Sequence, residues 1–327
     1  LFPYTTLFRS WKSVAAGICQ QLAAIAGTAL LLTGSAGGNL EYACLAIMAG
    51  RLLGAAAEIV FITILYVSDR RSHGIRRKSA RSSLAGMVNR ALSIALPLAG
   101  ASYARSGLST LQHLMVPVGL RASGLAAETA LADYGVIQGM ALPVVLFPSC
   151  VMVAVAELIV PKLTERQVRG DDAGIRAVTG RIMRGGLFFS AICTAVLAAL
   201  GDPLGIALFT TPAAGKYIRL FALIIPVMYL DMLADGCLKG LGQMMFCMVV
   251  NIADAGLSAL LVWLLLPRYG LTAYLVTICF TELFNFLLSY GRLRRLTGLR
   301  LFDLQAVKIF LCAGLAAGGG RLVYDVI

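Results

Sequence analysis

Apolar residues gather into nine long runs, separated by short polar or basic stretches: 13–33, 43–67, 88–118, 136–160, 182–200, 217–238, 244–266, 270–290 and 304–320. A helix rises ~1.5 Å per residue, so about 20 apolar residues suffice to cross a bilayer core. The pattern predicts an all-α, polytopic membrane protein with nine transmembrane helices. The third run is the longest and carries Pro97, so a bend is expected there. Two connections look structured. The stretch 123–134 reads as a short external helix capped by Ser123. The stretch 162–184 sets Val168, Ile175, Val178 and Ile182 among charges, as in a helix lying on the membrane face. An interruption is expected at Gly170-Asp171-Asp172.

Composition agrees with that pattern. Of the 327 residues, 59% are hydrophobic and 13% charged, with mean hydropathy +0.84. Soluble domains carry about 45–50% apolar and about 25% charged residues. A water-soluble enzyme, a disordered chain and a secreted disulfide scaffold are excluded on these grounds. The net charge of +12 would suggest nucleic acid in a soluble chain. Here its distribution decides otherwise. Arg70, Arg71, Arg76, Arg77, Lys78, Arg81 and Arg90 crowd one loop; Lys162, Arg166, Arg169, Arg176, Arg181 and Arg184 another. Lys239 and the group Arg292, Arg294, Arg295, Arg300 and Lys308 mark later loops on the same side. With Lys12 these make 20, against five on the opposite side (Arg121, Lys216, Arg219, Arg268 and Arg321). Such sorting places the basic loops in the cytoplasm and makes membrane lipids, not nucleic acid, their partner.

The run Leu1–Ser10, LFPYTTLFRS, reverse-translates without a mismatch into a common short-read sequencing adapter. It is expected to be an artefact joined to a chain that begins further upstream, and it is set apart from fold reasoning. The eight cysteines fall about one per apolar run with no CxxC pair, so buried apolar packing outweighs metal or disulfide chemistry. GxxxxGK[ST], HExxH and GxSxG are absent, which argues against ATP hydrolysis and against an enzyme. No cofactor is expected beyond Na+ or H+ as a coupling ion.

The informative residues are polar ones inside apolar runs, where each charge costs about 2.5–3.5 kcal/mol. Arg51 and Glu58 share a face of the second run, beside Gly50 and Gly54, which permit a close crossing. Separate partners across helix interfaces account for them most simply. Arg105 lies ~20 Å beyond the start of its span, so it faces protein or a water-filled cavity. An anionic head group and a carboxylate partner explain it equally well. Gln112 shares its face. Counting outward from the turn at Gly240-Leu241-Gly242 sets Asp231 level with Ile252, between Asn251 and Asp254. Counting from Arg268-Tyr269 sets Asp254 beside Glu282. Asp231, Asn251, Asp254 and Glu282 thus form one expected layer. Either a cation sits among the three carboxylates, or at least one holds a proton. Plain polar contact between helices is the competing account. Asp235 with Lys239, four residues on, reads as a structural ion pair.

These residues carry a family resemblance. Ala95-Leu-Pro-Leu-Ala99, Ser109–Pro117, Tyr134–Pro143 and Leu146-Phe-Pro-Ser149 are followed by Tyr229–Gln243 and Asn251-Ile-Ala-Asp254. Together they resemble the stage V sporulation protein B family, within the multidrug, oligosaccharidyl-lipid and polysaccharide (MOP) flippase superfamily. The resemblance covers about Val14 to Leu301. It implies a MATE-type bundle of two six-helix lobes with accessory C-terminal helices, the nine runs being helices five to thirteen of about fourteen. Residues 13–67 would end the first lobe, 88–290 would form the second, and 304–327 would be accessory. The implied function is flipping of a lipid-linked oligosaccharide or peptidoglycan precursor across the bacterial plasma membrane, for spore cortex or envelope polysaccharide. Related lipid II flippases hold sodium with an Asp on helix seven and an Asn and Asp on helix eleven. Asn251 and Asp254 match the second contribution at spacing three instead of four. The helix-seven acid has no counterpart, and Gln112 stands where the family often has Glu.

On this reading Arg105, Gln112, Arg51 and Glu58 are the substrate-cavity candidates, and Na+ at Asn251 and Asp254 is the metal candidate. Competing functions are a multidrug/cation antiporter of the same fold, a membrane-embedded sugar-phosphate transferase using Asp171-Asp172, and a non-transporting scaffold for cell-wall synthesis proteins.

Overall fold

The computed structural model describes residues 3–34, 40–72, 84–123, 127–299 and 301, with positions 308, 312, 314, 318, 319 and 321 beyond them. The predicted run 304–320 therefore lies largely outside the described residues. All regular structure among those described is helical: α1 Pro3–Gly34, α2 Leu40–Ser72, α3 Leu84–Ala122, α4 Ala127–Val136, a π-turn Ile137–Ala141, α5 Leu142–Leu146, α6 Ser149–Val168, α7 Asp172–Phe209, α8 Pro212–Ala222, α9 Ile225–Gly240, α10 Met244–Tyr269 and α11 Leu271–Thr297. Six helical stretches among the described residues are long and apolar enough to cross a membrane, or seven if α8 and α9 count as one broken span. The chain is an all-α, multi-pass membrane protein.

Proline explains most departures from nine uninterrupted runs. The run 136–160 is divided at Phe147-Pro148, between α5 and α6. The π-turn ahead of it widens where Pro143 can give no N–H to the carbonyl of Gly139. The run 217–238 is divided at Leu223-Ile224, where α8 and α9 meet at 56° and Pro226 sits in the first turn of α9. The 162–184 region is likewise two helices. α6 ends at Val168, Gly170 turns the chain at φ +70°, and Asp171 caps α7 by accepting from the Gly174 N–H at 2.8 Å. Ser123 does not begin α4; its hydroxyl donates to the Leu120 carbonyl at 2.7 Å and closes α3.

The described residues divide into two compact units, Leu1–Met87 and Val88–Ile327. In the first, α1 packs along α2 at a glycine crossing. A Cβ added to Gly50 would stand 2.9 Å from the Ala24 carbonyl oxygen, and one at Gly54 2.6 Å from that of Gln20. Only glycine admits so close an approach. In the second unit α9 is the central helix, with Tyr229, Leu233, Ala234, Cys237 and Leu238 fully buried. Tyr229 donates its hydroxyl to the Val145 carbonyl at 2.7 Å, near the broken end of α5. On one face of α9, Gly236 and Gly240 meet α6. A Cβ on Gly236 would lie 2.8 Å from the Ala156 Cα, and one on Gly240 2.9 Å from the Leu163 Cβ. This crossing leaves the other face of α9 turned to α10 and α11.

Candidate functional site

The polar face of α9 carries Asp231 and Asp235, one helical turn apart. Each meets α11 at the same offset. Asn285 donates to Asp231 at 3.1 Å, and Ser289 donates to Asp235 at 3.3 Å. From α10, the Asn251 amide donates to Asp235 at 3.4 Å and to the Cys247 carbonyl at 2.8 Å. Lys239 approaches Asp235 at 3.9 Å. Asp235 is therefore shared among α9, α10 and α11 and is not committed to Lys239 alone.

The expected register differs by about one turn. Asn251 meets Asp235, not Asp231. Counting Cα atoms ignores that each Cα–Cβ bond tilts toward its own helix N-terminus. In the antiparallel α9–α10 pair, the Asp235 and Asn251 side chains lean toward one another and close a turn of offset. In the parallel α9–α11 pair both lean the same way, so the rungs 231–285 and 235–289 keep their spacing. The sequence supplies no register between α9 and α11, so nothing in it marks Asn285 and Ser289 as partners.

Asp254 and Glu282 lie further along α10 and α11, and the charge of Arg105 on α3 acts on both. Arg105 makes no ion pair among the described residues. It lines a cavity of about 190 Å³ with Ser102, Lys239, Met244, Asn251 and Ile252. Whole ligands occupy about 300–1,000 Å³, so this space suits one small polar group. Gln112 is half-buried two turns further along α3 and does not line it. Its neighbour His113 joins the Tyr134 hydroxyl at 2.9 Å. Tyr134 stacks edge-on with Tyr274, whose hydroxyl accepts from Gln138 of the π-turn.

Three buried oxygens in this region have no hydrogen-bond partner: Asp231 Oδ1, Asn285 Oδ1 and Asp254 Oδ1. Buried acceptors are normally satisfied, so this group is what an ion, a proton or water would complete. Among the described residues no three His, Cys, Asp or Glu side chains are gathered as for a metal ion. Any ion here would need amide or hydroxyl oxygens as well.

Arg51 and Glu58 belong to the first unit, where no ion pair joins them. Arg51 lines a groove of about 590 Å³ between α1 and α2, with Gln20, Gln21 and Thr28; Glu58 does not line it. No protein-family model, curated protein or solved structure matches the chain.

Proposed function

We propose that this chain is part of a membrane flippase for a lipid-linked oligosaccharide or peptidoglycan precursor, driven by an ion or proton held near α9–α11. The observation that carries the reading is Arg105. It is a cation with no ion pair among the described residues, and it lines a small cavity together with Asn251 and Lys239. A phosphate of the carrier lipid would pair with Arg105 there. Its arrival would compete with Asp254 and Glu282 for the same charge, and this competition couples substrate to the ion or proton on the carboxylates. The sporulation-family resemblance supports the substrate class and the bacterial plasma membrane, and the sorting of Lys and Arg supports the cytoplasmic side of the basic loops. A cation antiporter fits less well, since Arg105 would repel its substrate.

The test is translocation in proteoliposomes. With the purified full-length protein, a fluorescent polyprenyl-pyrophosphate sugar should cross faster under a sodium or proton gradient, and a cationic dye should not accumulate. Dye accumulation without lipid translocation would replace this reading with the antiporter. Catalysed sugar-phosphate transfer would replace it with the transferase.

A further inference from the structure

At the basic end of the second unit, α7 and the end of α11 border a second, open cavity of about 610 Å³. Arg176, Arg181 and Arg184 line it together with Gly298 and Leu299, and no carboxylate contributes. Two arginines near the start of α7 are neutralised. Arg166 pairs with Asp171 at 2.7 Å and Arg169 with Glu165 at 2.6 Å. Arg181 and Arg184 take part in no ion pair among the described residues. Arg176 is held in place by donating to the Thr297 carbonyl at 2.9 Å, at the α11 C-terminus, where Gly298 turns at φ +68°.

The position of the cluster along α7 gives it a ligand. α7 has 38 residues and is ~57 Å long, well beyond a bilayer core. Its uncharged stretch begins at Gly185, directly after Arg184, and runs to Gly201. Arg181 and Arg184 therefore stand at the level where hydrocarbon meets head groups. They continue one helical stripe with Phe188, Ile192 and Val196, which are 57%, 47% and 46% exposed. An apolar stripe open to lipid thus ends in two unpaired guanidinium groups beside a cavity.

We infer that this cavity binds the phosphate head group of an anionic phospholipid, with an acyl chain lying along Phe188, Ile192 and Val196. Arginine forks match phosphate oxygens, and basic pockets between spanning helices are suited to such head groups. The site shares no lining residue with the Arg105 cavity.

The experiment uses the full chain in neutral detergent, measuring the unfolding temperature with added phosphatidylglycerol, phosphatidylcholine or inorganic phosphate. Phosphatidylglycerol should raise it; phosphatidylcholine and inorganic phosphate should not. R181Q/R184Q should unfold at the same temperature as wild type without lipid, and should need about thirtyfold more phosphatidylglycerol for the same rise. R169Q, whose arginine is already paired, should respond as wild type does. If the double variant does not fold, R181Q and R184Q singly should each lose part of the response. An undiminished response in these variants, or no response in wild type, overturns the proposal. A rise reproduced by inorganic phosphate overturns the lipid assignment and leaves a free-anion site.

Discussion

The two faces of α9 are built on opposite principles. Toward α6, Gly236 and Gly240 remove side chains altogether, and α6 comes so close that an added Cβ would overlap it. The polar atom at that crossing is satisfied: the Gly240 carbonyl accepts from Thr164 at 2.9 Å. Toward α10 and α11, Asp231 and Asp235 introduce charge where it is expensive, and buried oxygens on Asp231, Asn285 and Asp254 are left without partners. A face that is complete in itself holds the helix in place. A face that is incomplete has capacity for something else. The same helix thus provides a fixed support on one side and a site on the other.

The glycine face breaks most easily. Gly236→Leu drives a side chain into the Ala156 backbone, which cannot move as a flexible side chain would. It should destabilise the protein by at least the roughly 1–3 kcal/mol typical of overpacking, or prevent folding outright. Loss of the monodisperse species in detergent is the readout, and Gly236→Ala should show the same effect in weaker form.

The polar face should respond to chemistry more than to size. Asp231→Ala strands the Asn285 amide and should cost about 1–3 kcal/mol in chemical unfolding. Asp231→Asn keeps a bridging acceptor and should fold within ~1 kcal/mol of wild type, yet lose any gradient-driven transport. If Asp231→Asn transports normally, the rung is only a contact between helices.

Smallest of these effects is the i,i+4 pair. Lys239 is 43% exposed and stands 3.9 Å from Asp235, which already accepts from Ser289 and Asn251. Lys239→Gln should change stability by less than ~1 kcal/mol. A larger loss would mean that Lys239, and not α11, holds Asp235.

How much of this was legible in the sequence follows from which interactions are local. Gly50 and Gly54 announced a close crossing because their spacing of four is itself the signal. Asp235 and Lys239 were found by the same local rule, which could not see that two other helices also claim Asp235. Residue counting sets Asn251 a turn away from its partner Asp235 because it gives Cα levels while bonds are made by tilted side chains. Asn285 and Ser289, 54 residues from their partners, carry no sequence signal for that pairing. The broken helices were recoverable in principle. Pro143, Pro148 and Pro226 lie inside runs that are continuous by hydropathy, which is blind to a missing N–H.

The central claim is that Arg105 serves a ligand and not the fold. Its most direct test pairs two readings on Arg105→Ala in the full-length protein, the unfolding temperature and the translocation rate of a polyprenyl-pyrophosphate sugar. Arg105 is exposed and without an ion pair among the described residues, so unfolding should stay within about one degree of wild type, a shift of less than ~1 kcal/mol. Translocation should fall at least about tenfold, the loss of one charge-assisted contact to phosphate. A variant that unfolds early, or one that keeps its fold and translocates at the wild-type rate, would contradict the account.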